Sequence, residues 1–345
     1  MKKQPEPQSS YAEAGVDIDE MMTGLKSVKR MIKQTCNRKV LSGAGSFGGL
    51  FASPGKNSAI VASTDGVGTK LKVASMAGRH DTIGQDLVNH CVNDILVQGA
   101  RPLFFMDYLG TSRLKASVFR DVVSGLCKAC RKNNCALLGG ETAEMPGLYP
   151  PEEYDLVGAI VGSVDRRHVI TGKSIRPGDI MIGIPSSGLH TNGYSLARKV
   201  IFEDAGLKID DTFPGSSKSV AGVLLAVHKS YLGPVGKLLK KVIVRGMAHI
   251  TGGGIIDNIP RILPRGAGAV VDTTSWKTPR IFEFIRENGR VPGEEMFRVF
   301  NMGIGFVVIV REKDVAASIK ILEDSRQKPI IIGYINEGNG KVRLM

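Results

Sequence analysis

Long apolar runs are missing from this 345-residue sequence, and no stretch approaches the length that a bilayer-spanning helix requires. The first residues, Met1–Gln8, are polar and are not followed by the apolar core of a secretory signal. Cysteine is scarce, and its odd count of five argues for reduced thiols rather than a disulfide framework. We therefore expect a cytoplasmic protein without a membrane partner.

Aromatic residues are also few, at 6% with a single tryptophan, although the chain carries a formal charge of +13. Such a charge can attract nucleic acid or phosphorylated metabolites, or it can reflect a lysine-rich proteome. Basic and aromatic residues do not interleave in a stacking motif and no recognition-helix pattern occurs, so we expect no nucleic-acid partner. The 42 glycines suit an enzyme with many tight turns and anion-binding loops.

Short apolar segments alternate with longer amphipathic ones, which predicts an α/β fold, or an α+β fold with mixed sheets. The charged segment Asp165–Asp179 reads as a crossover between two domains. We expect a tail and helix at 1–40, a first domain at 41–168 and a second at 169–345. Strands are predicted at 58–64, 102–109, 135–139, 154–164, 179–185, 244–250, 267–273, 298–311 and 328–335. Helices are predicted at 19–34, 82–98, 114–133, 192–205, 218–231, 253–263, 278–288 and 313–325.

The most informative string is Ser-Thr-Asp-Gly-Val-Gly-Thr-Lys at residues 63–70, directly after a predicted strand. Asp65 offers a hard oxygen ligand for a divalent cation. Gly66 and Gly68 let backbone N–H groups approach a phosphate, and the final hydroxyl and ammonium groups add donors. These are the parts of a nucleotide-triphosphate site in an order that is not Walker A. The alternative is an ordinary acidic turn.

Further carboxylates follow in the first domain. Asp94, next to Asn93, lies late on a mostly apolar predicted helix, either at a solvated edge or facing the Asp65 loop. Glu141 follows Gly139-Gly140 at the end of another predicted strand, as Asp65 does at the end of its own. Loops at two strand ends place Asp65 and Glu141 on one rim, so the three carboxylates form an oxygen-only set suited to Mg²⁺ beside phosphates.

Two polar loops occur in the second domain. Residues 186–195 bring hydroxyls, an amide and the His190 imidazole to the start of a predicted helix. They form either a polar-ligand pocket, with His190 orienting a group or moving a proton, or a helix N-terminus capped by Thr191 or Asn192. In His249–Gly254, consecutive glycines open a helix and expose N–H groups to an anion such as phosphate, unless the segment is a plain glycine turn.

Two other patterns imitate known motifs. Gly43, Gly45 and Gly48 match G-x-G-x-x-G, but no strand precedes them and no helix follows, so we predict a mobile lid over phosphates. Cys127-Lys-Ala-Cys130 with Cys135 imitates a metal motif that lacks a fourth ligand. We expect these cysteines to be buried side chains.

In combination these segments closely resemble the phosphoribosylformylglycinamidine cyclo-ligases, the AIR synthetases of purine biosynthesis. The resemblance runs in order over nearly the whole chain and leaves out only the tail before Tyr11. The matching strings are Tyr11–Asp19, Ser63–Leu71, His80–Gly84, Cys91–Asp94, Gln98–Ala100, Pro102–Tyr108, Gly139–Gly147, Ser186–Leu196, His249–Gly254 and Phe300–Gly305.

The resemblance implies ATP-dependent closure of formylglycinamidine ribonucleotide to 5-aminoimidazole ribonucleotide, with ATP and Mg²⁺ at the site. It implies metal ligation by Asp65, Asp94 and Glu141, with Asn93 as a further possibility. The implied ATP and phosphate contacts are Gly66, Gly68, Thr69 and Lys70, together with Gly139, Gly140, Thr142 and the lid glycines Gly43, Gly45 and Gly48. The implied acceptor-side residues are Ser187, His190, Asn192, Thr251, Gly252, Gly253 and Gly254. The implied catalytic residues are Asp65, Lys70 and His190.

The family fold has two α/β domains, and the N-terminal sheets of two subunits pair into a barrel-like homodimer core. A phosphotransferase of the same fold, acting on another small acceptor, is the alternative activity. The sequence departs from the family pattern in its high basic charge and at Asn89-His90, where small or apolar residues are expected. We expect these departures to lie at ordinary surface or helix positions.

Overall fold

The computed structural model describes Leu41, residues 49–53 and residues 55–345. The predicted helix at 19–34 and the predicted lid at 43–49 lie outside these residues, except for Gly49, which begins a strand. Within the described ranges, no helix is long and apolar enough to cross a membrane.

A five-stranded sheet occupies the first half of the chain in the order β1-β2-β5-β3-β4. β3 and β4 run parallel, and the other neighbours are antiparallel. The strands are β1 Gly49–Ala52, β2 Ser58–Gly66, β3 Arg101–Thr111, β4 Ala136–Glu144 and β5 Tyr154–Asp165. The helices are α1 Lys70–Met76, α2 Ile83–Leu96 and α3 Ala116–Lys132.

The central strand β5 shows how the sheet is covered. Every second residue from Tyr154 to Val164 is buried, and the residues between them are half-exposed. Such period-two burial means that one face packs on a core and the other does not. Helix α2 lies on the covered face and α3 packs on α2. The two helices approach closely at Gly84, where an added Cβ would lie 2.2 Å from the carbonyl oxygen of Val122.

A six-stranded sheet in the order β11-β8-β10-β6-β9-β7 occupies the second half. β11 and β8 run parallel, whereas the other neighbours are antiparallel. The strands are β6 Ile180–Pro185, β7 Gly246–His249, β8 Ala267–Val271, β9 Ile304–Val310, β10 Ile330–Glu337 and β11 Val342–Leu344. The helices are α4 Tyr194–Arg198, which continues as a π-helix over Lys199–Asp204, then α5 Val220–Leu224, α6 Leu232–Leu238, α7 Gly254–Asn258, α8 Arg280–Gly289, α9 Gly293–Val299 and α10 Val315–Asp324.

All nine predicted strands are present with shifted ends, and both sheets contain parallel and antiparallel pairs, so the expectation of an α/β fold with mixed sheets is confirmed. Sequence patterns missed the short elements β1, β11, α1, α6 and α9. The predicted helix at 218–231 was too long, because it ends at Leu224 and the chain then turns towards the first domain. The predicted helix at 253–263 is the five-residue α7 followed by a 3₁₀ turn that contains Pro260.

The segment 226–231 joins the two domains through its backbone. Asn89 on α2 donates to the carbonyl oxygen of His228 at 2.7 Å. The Asn93 amide donates to the carbonyl of Lys229 at 2.8 Å and accepts from the backbone N–H of Tyr231 at 2.9 Å. Because these groups bond across the interface, they are unavailable for a continued helix.

Candidate functional site

The loop after β2 lies at the junction of the two domains. Asp65 is the penultimate residue of β2, and its Oδ1 accepts from the N–H of Gly66 at 2.7 Å. Gly68 has a φ of +65°, a conformation that favours glycine, and nothing lies within 4 Å of where a Cβ would be. The Thr69 hydroxyl is 3.2 Å from that of Ser195 in the second domain. This loop therefore faces open space beside the second domain.

Asp94 faces this loop, which agrees with one of the two alternatives given for it from the sequence. Its carboxylate is 8% exposed, and Oδ2 accepts from the Ser63 hydroxyl at 3.3 Å. A solvated helix edge is excluded for Asp94 and equally for Asn93, which is buried. Both amide atoms of Asn93 bond to the second domain.

His90 connects the two carboxylates. It lies one helical turn before Asp94 on α2, and its Nε2 is 2.6 Å from Asp65 Oδ2 and 3.7 Å from Asp94 Oδ2. Burial disfavours the charged imidazole, but the charges of Asp65 and Asp94 outweigh burial and raise the pKa of His90 to about 9. Asn89 and His90 lie on a helix, as expected, but they are not at its surface: both are buried, and His90 lies at the centre of the site.

Four of the six histidines in the chain meet here, from α2 and three segments of the second domain. His249 Nδ1 is 2.8 Å from Asp94 Oδ1, and its Nε2 is 3.0 Å from His228 Nε2. The rings of His228 and His190 stack with centroids 4.0 Å apart. His90, His228 and His249 were not among the predicted site residues. The i, i+4 spacing of His90 and Asp94 could have indicated the first of them, because such residues share a helix face.

Lys70 does not contact open space, as a phosphate ligand would. Its ammonium group has no exposed surface, pairs with Asp86 at 2.8 Å, and donates to the carbonyl oxygens of His190 at 3.2 Å and Ala226 at 2.8 Å. Burial lowers the pKa of Lys70 against the opposing effect of Asp86. Lys70 is the first residue of α1, and it bonds to Asp86 on α2 and to two carbonyl groups of the second domain. Lys70 therefore holds the second domain against α1 and α2.

Glu141 lies away from Asp65 and Asp94 within the chain. Across the sheet, Asp65 pairs with Gly158, Gly158 with Asp107, and Asp107 with Gly140. Three strand spacings separate the β2 and β4 backbones, a distance of roughly 14 Å. The expected set of Asp65, Asp94 and Glu141 around one metal ion is thus not assembled within one chain. The predicted contacts Gly139, Gly140 and Thr142 lie on β4 with Glu141.

The acceptor-side residues do come together. The Ser187 N–H donates to His190 Nε2 at 3.2 Å, and an added Cβ at Gly252 would lie 3.5 Å from the Asn192 amide nitrogen. Asn192 Oδ1 and His190 Nδ1 are buried without a hydrogen-bond partner among the described residues. Burial lowers the pKa of His190 far below its usual value, so the imidazole is neutral.

The glycine loop Thr251–Gly254 lies beside these acceptor-side residues. Gly253 and Gly254 have φ values of +93° and +57°. A Cβ on Gly254 would lie 1.9 Å from the carbonyl oxygen of Phe297, so glycine is required by both conformation and space. The helix that the loop opens, Gly254–Asn258, has only five residues, which weakens the predicted dipole contribution to anion binding.

The four described cysteines take no part in this site. Cys130 and Cys135 are buried and Cys127 is half-buried, and the four described cysteines are free. The groups of metal-ligand type found among the described residues contain no cysteine. The expectation of buried side chains is confirmed for Cys130 and Cys135.

Comparison with known proteins identifies two family domains. Residues 48–164 match the family described as "AIR synthase related protein, N-terminal domain", and residues 176–344 match its C-terminal domain. The chain is 52% identical over 329 residues to a phosphoribosylformylglycinamidine cyclo-ligase of Geotalea daltonii, with 94% of each chain covered. It is 48% identical over 335 residues to the protein of that name from Bacillus cytotoxicus, with 96% of each covered.

Solved structures share the fold at low sequence identity. A thiamine-monophosphate kinase from Stenotrophomonas maltophilia K279a superposes with a TM-score of 0.64 and 16% identity, covering 93% of this chain and 95% of its own. The hydrogenase maturation protein HypE in complex with ATP has a TM-score of 0.61 and 17% identity, covering 96% and 92%. These likenesses show the two-domain architecture.

Proposed function

Since this chain belongs to the phosphoribosylformylglycinamidine cyclo-ligase family and carries both AIR synthase related domains, we propose that the cleft between its domains is the active site. The enzyme is a ligase of purine biosynthesis that uses ATP to convert formylglycinamidine ribonucleotide to 5-aminoimidazole ribonucleotide. The observation that carries the location of the site is the convergence of the Asp65–Thr69 loop, Asp94 and the loops at Ser187–Asn192 and Thr251–Gly254.

ATP binds with its phosphates at the loop after β2. Gly66, Gly68 and Thr69 supply backbone N–H groups and a hydroxyl, and the open space at Gly68 supports a close approach of the phosphates. Gly43, Gly45 and Gly48 cover the phosphates in this proposal, which rests on their sequence alone. Lys70 acts indirectly, because its ammonium group binds the His190 carbonyl and positions that backbone rather than the nucleotide.

Asp65 and Asp94 would hold Mg²⁺. The donor chemistry fits, because both are carboxylates and both reach the same imidazole nitrogen of His90. When bound, the ion neutralises charge on the phosphates. Glu141 lies on β4, away from Asp65, together with Gly139, Gly140 and Thr142. The metal role of Glu141 and the phosphate contacts of the other three stay predictions.

The ribonucleotide binds on the second-domain side. The unpartnered Asn192 Oδ1 supports a hydrogen bond to a substrate N–H group, because a buried acceptor without a partner is costly. Ser187 and Thr251 supply hydroxyls, and Gly252, Gly253 and Gly254 line the path of a phosphate. This placement uses the Asn192 oxygen, which has no hydrogen-bond partner among the described residues.

The reaction needs one phosphoryl transfer and one proton acceptor. The formyl-amide oxygen attacks the γ-phosphorus and ADP leaves; the amidine nitrogen then attacks the activated carbon, and phosphate leaves as the ring closes. The attacking nitrogen loses a proton in the second step. His190 Nε2 accepts from the Ser187 N–H, so the neutral ring carries its proton on the unpartnered Nδ1, which can donate a hydrogen bond that orients the ribonucleotide. Both substrates must be held side by side in the cleft.

The enzyme is a homodimer joined through the uncovered face of the first sheet. That face carries the exposed Met106 on β3, and Met106 pairs in register with Ala159 on β5. Val157 and Val161 share this half-exposed face. An apolar sheet face without a covering layer is typical of an interface between chains.

The free cysteines support a reducing compartment such as the cytoplasm.

The test is an assay of purified enzyme with ATP, Mg²⁺ and formylglycinamidine ribonucleotide. We expect one ADP for each 5-aminoimidazole ribonucleotide formed, and no ADP when the ribonucleotide is omitted. Failure to form the imidazole under conditions that activate a known cyclo-ligase contradicts the proposal. ADP release with another small acceptor, and none with this one, identifies a phosphotransferase instead.

A further inference from the structure

A cavity of about 560 Å³ lies between the two domains, apart from the cleft described above. Residues within 96–101 of the first domain, 167–174 of the crossover and 232–245 of the second domain form its walls. None of the described residues assigned above to ATP, Mg²⁺ or the ribonucleotide lines it. Its volume is within the range of about 300–1,000 Å³ that is usual for small-molecule sites, and such sites occur preferentially at domain interfaces.

Helix α2 separates this cavity from the cleft. Leu96, the last residue of α2, lines the cavity, whereas Asp94 faces the loop after β2. Residues two apart on an α-helix project about 200° from one another, because one turn takes 3.6 residues. The cavity and the Asp94 carboxylate therefore lie on opposite sides of the last turn of α2. A ligand in the cavity would occupy a second site.

The inner wall of the cavity is apolar. Leu96 and Val244 are buried in a hydrophobic cluster that takes residues from both domains, and Ile170 and Leu239 pack against this cluster. Residues of a packed core keep their positions, because close packing leaves them little room to move. This wall is therefore a preformed surface on which the apolar part of a ligand can be buried.

Backbone hydrogen bonds fix the segments that carry the rest of the lining. The N–H of Ile170 donates to the carbonyl oxygen of Gln98 at 3.2 Å, which ties the crossover to the turn after α2. The N–H of Arg245 donates to the carbonyl oxygen of Ile309 at 2.8 Å. Arg101 begins β3 and pairs in register with Ser163 on β5. The three segments thus meet in a defined arrangement around the cavity.

Positive charge is concentrated on this lining. Lysine and arginine side chains come from all three segments, and no aspartate or glutamate lines the cavity; the basic residues are Arg101, Arg167, Lys173, Lys240 and Arg245. Asp165 and Asp179 already pair with two of them, Arg167 and Arg245. The other three, one from each segment, are exposed and form no ion pair within the described parts of the chain. Three uncompensated cations favour an anionic ligand.

We propose that this cavity binds a nucleoside monophosphate, with its phosphate among Arg101, Lys173 and Lys240 and its base against the apolar wall. A phosphomonoester carries up to two negative charges and three acceptor oxygens, which guanidinium and ammonium groups bind well. Free phosphate leaves the apolar wall unused, and a neutral nucleoside leaves the three cations unmatched. The inference goes beyond the proposed function and does not depend on it.

Such a ligand would join the two domains. It would contact the end of α2 and the start of β3 on one side and α6 on the other, because Leu232, the first residue of α6, also lines the cavity. α6 directly follows segment 226–231, which bonds to Asn89 and Asn93 on α2. A ligand that binds only the folded chain raises its stability by mass action, so the unfolding temperature should increase with ligand concentration.

The test counts bound AMP by equilibrium dialysis on the full chain. The cavity variant combines Arg101→Glu with Lys240→Glu. The matched control combines Arg120→Glu with Lys208→Glu, one exposed arginine of the first domain and one exposed lysine of the second, both outside the cavity. We expect the control to bind as many AMP molecules per chain as wild type. The cavity variant should bind one fewer, because loss of two charged contacts weakens affinity by about 100-fold or more.

Two measurements on wild type complete the test. In crystals soaked with AMP, the phosphate should lie within hydrogen-bond distance of Arg101, Lys173 or Lys240. Adenosine and inorganic phosphate should each displace this AMP at least tenfold more weakly than unlabelled AMP does. AMP found only in the cleft, no AMP binding by wild type, or an unchanged number of bound AMP molecules in a cavity variant that circular dichroism shows to be folded overturns the inference. Phosphate that competes as well as AMP overturns the assignment to a nucleoside.

Discussion

The ammonium group of Lys70 lies 2.8 Å from the Asp86 carboxylate, and neither side chain is exposed to solvent. Asp86 Oδ1 also accepts from the backbone N–H of His228 at 2.6 Å. One buried ion pair thus holds α1, α2 and the segment 226–231 together. Its integrity sets the geometry of the cleft, since Lys70 also binds the His190 carbonyl.

Replacing Lys70 with methionine should lower the free energy of unfolding by about 3 kcal/mol or more, because Asp86 is left buried without its counter-charge. The measurement is urea denaturation. Lys72→Met is the control two residues along, where the side chain is 40% exposed and the loss should stay below about 1 kcal/mol. Unchanged stability of Lys70→Met, combined with weaker ATP binding, would restore the phosphate-contact interpretation.

Asp65→Asn should reduce kcat by about 100-fold or more while the protein stays folded, because the change removes charge but little volume. Steady-state kinetics at saturating ATP and Mg²⁺ measure the effect. Asp204→Asn, which alters a surface pair with Lys199, is the control and should retain activity. Near-normal turnover of Asp65→Asn at ordinary Mg²⁺ would reject a metal role for this carboxylate.

Asn192→Ala should raise KM for the ribonucleotide by up to about tenfold, since one hydrogen bond is worth about 1 kcal/mol. KM for ATP should not change, because ATP is assigned to the other side of the cleft. Asn288→Ala, on the outer helix α8, is the matched control. An equal rise in both KM values would indicate a general disturbance of the cleft.

Met106→Glu should convert a dimer to a monomer, because it introduces a charge into the proposed apolar interface. Light scattering after size-exclusion chromatography gives the mass. Ile243→Glu is the control, since Ile243 is 68% exposed and lies outside the first sheet. A wild-type monomer at micromolar concentration would contradict the dimer.

Lys229 provides a pH test of the interface between the domains. Burial lowers its pKa from 10.5 in the unfolded chain to about 8 in the folded protein. Between these values the unfolded state binds more protons, so the contribution of Lys229 to stability increases as pH rises from 8 towards 10.5. The free energy of unfolding of wild type, relative to that of Lys229→Met, should therefore increase as pH rises over this range. A constant difference would show that Lys229 is not shifted.

Much of the site was accessible from local patterns. Asp65 at a strand end and Asp94 on an apolar helix were each recognisable, because a carboxylate in such surroundings needs a partner. Glu141 was misplaced because strand ends alone do not give strand order. β4 is an edge strand three positions from β2, and that order depends on long-range pairing.

The sequence by itself determined the alternation of strands and helices, the division into two domains and the family, because these depend on short-range periodicity and on strings of residues in order. The tertiary structure alone decided which polar groups meet. Lys70 became an interdomain ion pair rather than a phosphate contact, and His90, His228 and His249 converged on Asp94 from distant parts of the chain. Burial in the cleft removes water from these groups, so their partners depend on how the two sheets face each other.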